Sequence, residues 1–279
     1  MEKIRPRRSV LFMPGSNARA IEKARTLDCD VVALDLEDAV APEDKERARL
    51  QVVEAIRSKA FGNKEVAVRV NPLSSPFGHA DLEAMAKAHP DVVILPKVMS
   101  AAEVSAEHRA IPSSIAVWAM IETPKAVMHM DQIAAAGAAA LVLGSNDLMK
   151  DMRAVPMASR ENLHAVMSLL VLAARAHGIA AIDGTHNAFP DADGLEASCR
   201  QGRAFGFDGK TLIHPSQIEA ANRIFAPSED ELKKARAPVA AFAQNPGKSV
   251  LKLDGRMVEQ LHAEDAMRLL ALAEAIAGR

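Results

Sequence analysis

The chain has few of the side chains that bind nucleic acid. Its 279 residues include no tyrosine, one tryptophan and eight phenylalanines, so few rings are present on which bases could stack. Acidic residues slightly outnumber basic ones and give a formal net charge of -2, whereas a nucleic-acid binder would present a basic stripe. The composition therefore argues against nucleic acid as a partner.

Cysteines and long apolar runs are also scarce. Cys29 and Cys199 lie far apart and neither has a CxxC partner, so we expect two small buried thiols in a reducing compartment. No segment approaches the roughly 20 apolar residues of a membrane span. The apolar run near the basic N-terminus is too short for a signal peptide. These absences predict a soluble, cytoplasmic protein without a membrane partner.

Short runs rich in valine, isoleucine and leucine recur along the chain, with helical patterns between them. Continuous apolar runs of this kind are typical of parallel strands that are buried on both faces. The predicted strands are Ser9–Pro14, Val31–Glu37, Val66–Asn71, Val92–Val98, Ala116–Thr123, Ala140–Ser145, Ala180–Thr185 and Lys210–His214. Eight strand–helix units in order predict an α/β fold, a (β/α)8 TIM barrel over residues 1–226. The alternative is a doubly wound open sheet, but no GxGxxG follows the first strand.

The pattern changes after the eighth unit. Residues 228–243 and 263–277 have helical patterns, and a short hairpin is predicted between them around Asp254 and Gly255. A segment of this size cannot bury a core of its own. We therefore expect residues 227–279 to form a C-terminal extension that packs on its own barrel or on a neighbouring subunit.

Four of the predicted strands end at charged side chains. An apolar run that stops on a charge costs stability unless the charge is paired or used. The carboxyl ends of barrel strands share one mouth, where barrel enzymes keep their chemistry. The charged residues at these strand ends are Asp35, Glu37, Asp38, Arg69, Glu122 and Asp147. The pattern predicts an enzyme with these side chains gathered at the barrel mouth.

Glu122 and Asp147 end consecutive predicted strands, so we expect them to lie side by side. Two carboxylates without histidine or cysteine nearby favour a hard cation, Mg2+ or Mn2+, with positions left for water and substrate oxygens. The alternative is a structural pair of acids that caps neighbouring helices or pairs with Lys97 or Arg69.

Arg69 is the candidate for binding an anionic or developing negative oxygen. Arginine stays protonated and presents a fixed fork of donors, which suits a carboxylate, a thioester oxygen or an enolate. The alternative is a structural ion pair with Asp35, Glu37 or Asp38. Lys97, near the end of the predicted strand Val92–Val98, could form a Schiff base, but the neighbouring acids favour a role as their charged partner.

The first strand leads into a helix start that carries cations. Gly15, Ser16 and Asn17 precede a helix with Arg19 and Lys23. Main-chain amides at a helix start, with cations nearby, suit a phosphate-bearing ligand. Solvated surface charges are the alternative.

Several stretches resemble the citrate lyase beta-subunit-like branch of the HpcH/HpaI aldolase superfamily, which includes malyl-CoA and citramalyl-CoA lyases. They cover nearly the whole chain in order: RSVLFMPGSN, DVVALDLEDAVAPEDKERAR, VRVN, VVILPKV, IETPKAV, LGSNDLMKD, FDGKTLIHPSQI and DGRMVEQLHAEDA. The resemblance implies a barrel in a trimer or hexamer, with Mg2+ on Glu122 and Asp147. It also implies that Arg69 contacts the substrate acyl group and that Arg19 and Lys23 contact coenzyme A.

The tail departs from the family pattern at one position. Similar proteins carry an aspartate after Gly-x-Met-Val/Ile, and it reaches into a neighbour's active site. Here Val258 is followed by Glu259, and Leu261 replaces a proline that is often found two residues later. Glutamate keeps the acid but lengthens the arm, which leaves the choice of lyase, synthase or thioesterase open.

The resemblance implies a Mg2+-dependent carbon–carbon lyase. It would cleave a short 3-hydroxyacyl-CoA dicarboxylate, malyl-CoA or citramalyl-CoA, to acetyl-CoA and a 2-oxoacid. Arg69 would stabilise the thioester enolate, Glu259 would exchange the proton, and Glu37 and Asp38 would hold metal-bound waters. Alternatives with the same site are a malyl-CoA thioesterase and a malate or citramalate synthase-type condensation. An alternative of another class is the carrier-dependent beta subunit of a citrate lyase complex.

Overall fold

The computed structural model describes residues 4–253 and 255–279. Asp254, predicted at the hairpin turn, lies outside the described residues. The chain divides into two compact units. One is Arg7–Arg223, and the other is Ile224–Arg279 with residues 4–6, taken over the described residues.

Eight parallel strands close into a barrel in the first of these units. Each strand pairs with the next along the chain, and the eighth pairs with the first. The strands are β1 (Ser9–Pro14), β2 (Val31–Asp35), β3 (Glu65–Arg69), β4 (Val92–Leu95), β5 (Ala116–Ile121), β6 (Ala140–Leu143), β7 (Ala180–Asp183) and β8 (Gly209–Leu212). The predicted (β/α)8 barrel is confirmed.

Helices connect the strands and follow the last of them. They are α1 (Ala18–Ala24), α2 (Lys45–Arg57), α3 (Gly78–Ala88), α4 (Ala101–Ala110), α5 (Pro124–Met128), α6 (Met130–Ala135), α7 (Ser145–Asp151), α8 (His164–Ala176), α9 (Ala192–Phe205) and α10 (Ile218–Phe225). Within the described ranges, no helix is both long and apolar enough to cross a membrane.

The strands are buried on both faces, as their unbroken apolar sequences predict. One buried cluster takes every second residue of several strands, including Val31 and Ala33 of β2 and Val92 and Ile94 of β4. The residues between them are buried as well, for example Val32 at 0% exposure. A strand covered on both faces has no use for polar alternation.

The second unit contains two long helices and a hairpin. Its elements are α11 (Glu229–Ala243), β9 (Val250–Leu253), β10 (Arg256–Glu259) and α12 (Gln260–Ala277). Ser228 starts α11 with a reciprocal cap, since its hydroxyl accepts from the N–H of Glu231 and the Glu231 carboxylate accepts from the N–H of Ser228. β9 and β10 pair antiparallel.

Several strands end earlier than their sequences predict. β2 stops at Asp35 because that carboxylate accepts the main-chain N–H groups of Glu37 and Ala39 and so folds the chain into a turn. β6 ends at Leu143, and Asp147 lies in the first turn of α7 rather than at a strand end. Asp35 and Arg69 are therefore the last residues of their strands, whereas Glu37, Glu122 and Asp147 lie just beyond strand ends.

Glu107 on α4 is a buried acid with an incomplete set of partners. Its side chain is 4% exposed, and its Oε2 has no hydrogen-bond partner among the described residues. Burial, with a smaller contribution from the charge of Glu103, raises the pKa of Glu107 to about 7. In the folded protein the Glu107 carboxyl therefore stays protonated up to a higher pH than in the unfolded chain.

We expect Glu107 to make folding stability fall as the pH rises. An acid whose pKa is raised on folding contributes stability that is complete below its ordinary pKa of 4.5 and is lost as the pH passes about 7. Between pH 5 and 8 the free energy of unfolding should fall by about 1–3 kcal/mol more in the wild type than in Glu107→Gln. Urea unfolding at both pH values measures this, and equal falls in the two proteins would contradict it.

Candidate active site

Asp35, the last residue of β2, organises the loop that follows it. The residue is 1% exposed. Its Oδ1 accepts the N–H of Glu37 at 2.9 Å and its Oδ2 accepts the N–H of Ala39 at 3.1 Å. The same two oxygens accept hydrogen bonds from Arg69, at 2.7 Å from Nε and 2.5 Å from Nη2. One carboxylate thus holds both the loop and the end of β3.

Arg69 directs its remaining donor group toward two further acids. Nη1 lies 3.1 Å from Oε2 of Glu37 and 3.6 Å from Oδ2 of Asp38. The guanidinium Cζ lies 5.3 Å from the centre of the Phe12 ring. Burial alone would lower the pKa of Arg69, but the hydrogen bond and charge of Asp35 raise it. Arg69 is therefore a permanent cation, and the structural ion pair considered from the sequence is present.

Two polar residues that sequence reasoning did not single out hold the same loop, and a third, Asp81, fixes one of them. The buried ammonium of Lys45 donates to the main-chain oxygens of Leu36 at 2.8 Å and Glu37 at 2.6 Å. Asn71 donates to the Leu36 oxygen at 2.8 Å and to Asp81 at 2.6 Å. The sequence signal for this contact was Asn71 itself, a polar residue at the end of the apolar run VRVN. Its partner could not be found from the run, because Asp81 lies in the following helix α3.

Lys97, just after β4, contacts four acids. Its main-chain N–H donates to Oε1 of Glu122 at 2.5 Å. Its ammonium donates to Glu37 and lies 3.6 Å from Oδ1 of Asp38 and 4.0 Å from Oδ2 of Asp147. Burial alone would lower the pKa of Lys97, but the hydrogen bond and charge of Glu37 raise it. Schiff-base chemistry needs the neutral amine, so this arrangement favours the charged-partner alternative.

Glu122 is an almost fully enclosed acid at the barrel mouth. It is 2% exposed. Burial, followed by the charge of Glu37, raises the pKa of Glu122 to about 7. Gly144 packs directly on it, since a Cβ at that glycine would lie 2.3 Å from Cβ and 2.5 Å from Oε2 of Glu122. Asp147 is more open, with 32% of its side chain exposed.

The mouth contains a cavity of about 380 Å³. Asp38, Arg69, Glu122 and Asp147 all line it. The structure therefore brings four of the predicted site residues to one cavity of a size suited to a small ligand. Glu37 is 3% exposed and lies behind them, bonded to Lys97.

Three predicted site residues, Arg19, Lys23 and Glu259, are not among the residues that line this cavity. Arg19 and Lys23 are exposed on α1, whose start is capped by the side chain of Asn17. Glu259 ends β10 in the second unit, and its N–H donates to Nδ1 of His262 at 3.0 Å. The roles assigned to these three residues stay predictions.

The residues at the mouth fit a hard divalent cation. In residues 4–253 and 255–279, no group of three or more histidine, cysteine, aspartate or glutamate side chains is arranged to hold a metal ion. Mg2+, however, keeps several waters and uses only one or two carboxylates together with substrate oxygens. Glu122 and Asp147 supply two carboxylates that line the same cavity.

Barrels of this kind keep their active sites at the carboxyl ends of the strands, which is where this chain gathers Arg69, Glu122 and Asp147. The family model for HpcH/HpaI aldolase/citrate lyase matches residues 8–215. The chain belongs to this family, as its motifs predicted.

Several relatives match this chain over nearly their whole length and indicate which members of the family it resembles in sequence. The chain is 45% identical to a (3S)-malyl-CoA thioesterase of Cereibacter sphaeroides strain KD131 over 275 residues, which cover 98% of this chain and 96% of the relative. It is 35% identical to an L-malyl-CoA/beta-methylmalyl-CoA lyase of the same species, strain ATCC 17025, over 98% of this chain and 96% of that one. The protein CitE from Mycobacterium tuberculosis, solved with magnesium, acetoacetate and coenzyme A, superposes with a TM-score of 0.79. It is 30% identical, covering 96% of this chain and 98% of that one.

These comparisons correct the expected reaction. The prediction of a carbon–carbon lyase, and with it the enzyme class, is wrong, because relatives at 44–45% identity are thioesterases whereas the lyases match at only 34–35%. The sequence pattern misled because acids and an arginine at the barrel mouth serve either reaction. What distinguishes the two is the bond that breaks. In hydrolysis water adds to the thioester carbonyl and the carbon–sulfur bond breaks, whereas in the lyase reaction the substrate hydroxyl loses its proton and a carbon–carbon bond breaks.

Gly144→Ala should disrupt the candidate metal site. The added methyl group overlaps the side chain of Glu122, so either that carboxylate or β6 must shift, at a cost of about 1–3 kcal/mol in stability. We expect calorimetric titration with Mg2+ to show binding by the wild type and none by the variant.

Gly278→Ala is the matched control, since a Cβ there meets only the Glu274 oxygen at 3.5 Å. Circular dichroism should show that both variants are folded. Undiminished Mg2+ binding by folded Gly144→Ala would contradict the packing argument.

Proposed function

We propose that this protein is a Mg2+-dependent thioesterase that hydrolyses a short hydroxyacyl-CoA dicarboxylate of the malyl-CoA type. The observation that carries the proposal is the 45% identity, over 98% of the chain, to a (3S)-malyl-CoA thioesterase. The cavity lined by Arg69, Glu122 and Asp147 supports it with groups suited to an acidic substrate.

Glu122 and Asp147 are proposed to hold the cation. When bound, Mg2+ would supply an attachment point for the substrate's carboxylate and hydroxyl oxygens. The magnesium in the related CitE structure supports this assignment. The N–H of Lys97 fixes one oxygen of Glu122 and so limits the directions in which the carboxylate can turn.

Arg69 is proposed to bind the thioester carbonyl oxygen. Its Nε and Nη2 are committed to Asp35, which fixes the guanidinium plane of a residue that lines the cavity. A fixed cation at that oxygen stabilises the negative charge that develops when water adds to the carbonyl carbon. Losing such a donor typically costs about 10²–10³ in turnover.

Asp38 is proposed to accept the proton of the attacking water. It lines the cavity, and 54% of its side chain is exposed. The water oxygen forms a bond to the carbonyl carbon, the carbon–sulfur bond breaks, and the proton passes to the departing thiolate. Glu37 would support this step from behind, by orienting Arg69 and Lys97 around the waters of the site.

Three further residues are proposed to complete the substrate site. Arg19 and Lys23, exposed on α1, would contact the phosphates of coenzyme A. Glu259 would supply an acid to the site of another copy in a trimer or hexamer, and residues 227–279 would pack on that neighbour.

The reaction can be distinguished by its products. We expect the protein with Mg2+ to convert (3S)-malyl-CoA in H2(18)O into free coenzyme A and malate that carries one 18O in its new carboxylate. Arg69→Ala should lower the rate by about 10²–10³ because the oxyanion loses its donor. Mass spectrometry of the products measures both effects.

Acetyl-CoA and glyoxylate as the products would contradict hydrolysis. Activity that requires an acyl-carrier thioester, with no turnover of the coenzyme A ester, would instead identify a carrier-dependent subunit. The same assay tests the tail acid: Glu259→Gln should lower turnover by about 10²–10⁴ if that group transfers a proton. An unchanged rate would remove Glu259 from the site.

A further inference from the structure

Lys97 has an unusual backbone for a residue with a long side chain. Its φ is +53°, in the left-handed region that residues other than glycine and asparagine rarely occupy. Strained conformations of this kind persist only where the surroundings hold them, and they concentrate at functional sites. Lys97, the residue with this strained backbone, lies directly beside the acids of the barrel mouth.

The left-handed turn lets one residue serve the site twice. The main-chain N–H points at Oε1 of Glu122, at 2.5 Å. The side chain projects to the other acids and donates to the buried carboxylate of Glu37. Its ammonium also lies 3.6 Å from Asp38 and 4.0 Å from Asp147.

These acids would repel one another without a cation among them. Arg69 neutralises Asp35 most directly, through two hydrogen bonds. Lys97 is the cation nearest to Asp147 among the described ion pairs. A positive charge in that position also opposes a second cation brought to the same carboxylates.

We propose that Lys97 is a positioning residue of the metal site, whose main chain orients Glu122 and whose ammonium is the internal counter-cation of Glu37, Asp38 and Asp147. The inference rests on the proposed assignment of Mg2+ to Glu122 and Asp147. It has a directional consequence: the ammonium keeps the metal-free site folded and weakens its hold on Mg2+. A residue that only maintained the fold could weaken Mg2+ binding when removed, but not strengthen it.

Two substitutions separate the two contributions. Lys97→Gln keeps a long side chain and the main-chain N–H but removes the charge, and it should bind Mg2+ about tenfold more tightly than the wild type. Lys97→Val also removes the charge, but its branched side chain resists the left-handed backbone. It should therefore bind Mg2+ more weakly than Lys97→Gln.

Lys59 provides matched controls. It is exposed, lies beyond the end of α2, and has a left-handed φ of +51°. Lys59→Gln and Lys59→Val repeat the loss of charge and the backbone strain away from the acids. Both should leave Mg2+ affinity unchanged.

Calorimetric Mg2+ titration and metal-free thermal unfolding at pH 8 form the test. Without metal, the midpoint of Lys97→Gln should fall by about 5 °C relative to Lys59→Gln, because Glu37 loses its partner. An Mg2+ affinity of Lys97→Gln equal to or below that of the wild type would overturn the counter-cation role. Affinity in Lys97→Val equal to that in Lys97→Gln would overturn the main-chain role.

The result for wild-type protein separates this inference from the proposed function. Failure of the wild type to bind Mg2+ would refute the metal assignment by itself. The counter-cation role would then be judged on metal-free stability alone, and an unchanged midpoint in Lys97→Gln would overturn it.

Discussion

The candidate active site depends on the two-bonded ion pair between Asp35 and Arg69. These residues end neighbouring strands and are direct partners in the β2–β3 register, so the barrel itself brings them together. Both are nearly buried, at 2% and 11% side-chain exposure. Breaking a buried pair of this kind by removing one partner typically costs about 3–5 kcal/mol. The loop that carries Glu37 and Asp38 is held to the same carboxylate.

From this pair outward, the site consists of like charges kept close by fixed cations. Arg69 and Lys97 lie among these acids, and burial raises the pKa of Glu122 to about 7. The left-handed backbone of Lys97 and the absence of a Cβ at Gly144 are further local costs. The barrel around the site follows the usual preferences for backbone conformation and charge placement, and the site does not. Such departures are expected where function constrains the sequence.

The barrel could be predicted because the signals for its strands and helices lie in short, continuous stretches of sequence. Each strand has an apolar run that only burial on both faces explains, and the strand order follows from the order of the units. The meeting of Arg69, Glu122 and Asp147 followed from the same reasoning, since strand ends share a mouth. The roles of Lys45, Asn71 and Gly144 were not predictable, because each depends on a contact with another element. The reaction type could not be predicted from the site residues either, since the same charged groups can serve cleavage of a carbon–carbon bond or of a carbon–sulfur bond.

Whether Glu122 and Asp147 together hold a divalent cation is tested most directly by calorimetric titration of Mg2+ into the wild type, Glu122→Gln and Asp147→Asn. Each substitution keeps the shape of the side chain and removes only its charge, and Glu83→Gln on the exposed face of α3 is the control. The account predicts binding by the wild type and the control, and no measurable binding by either site variant. Binding of equal strength in all four proteins would contradict it.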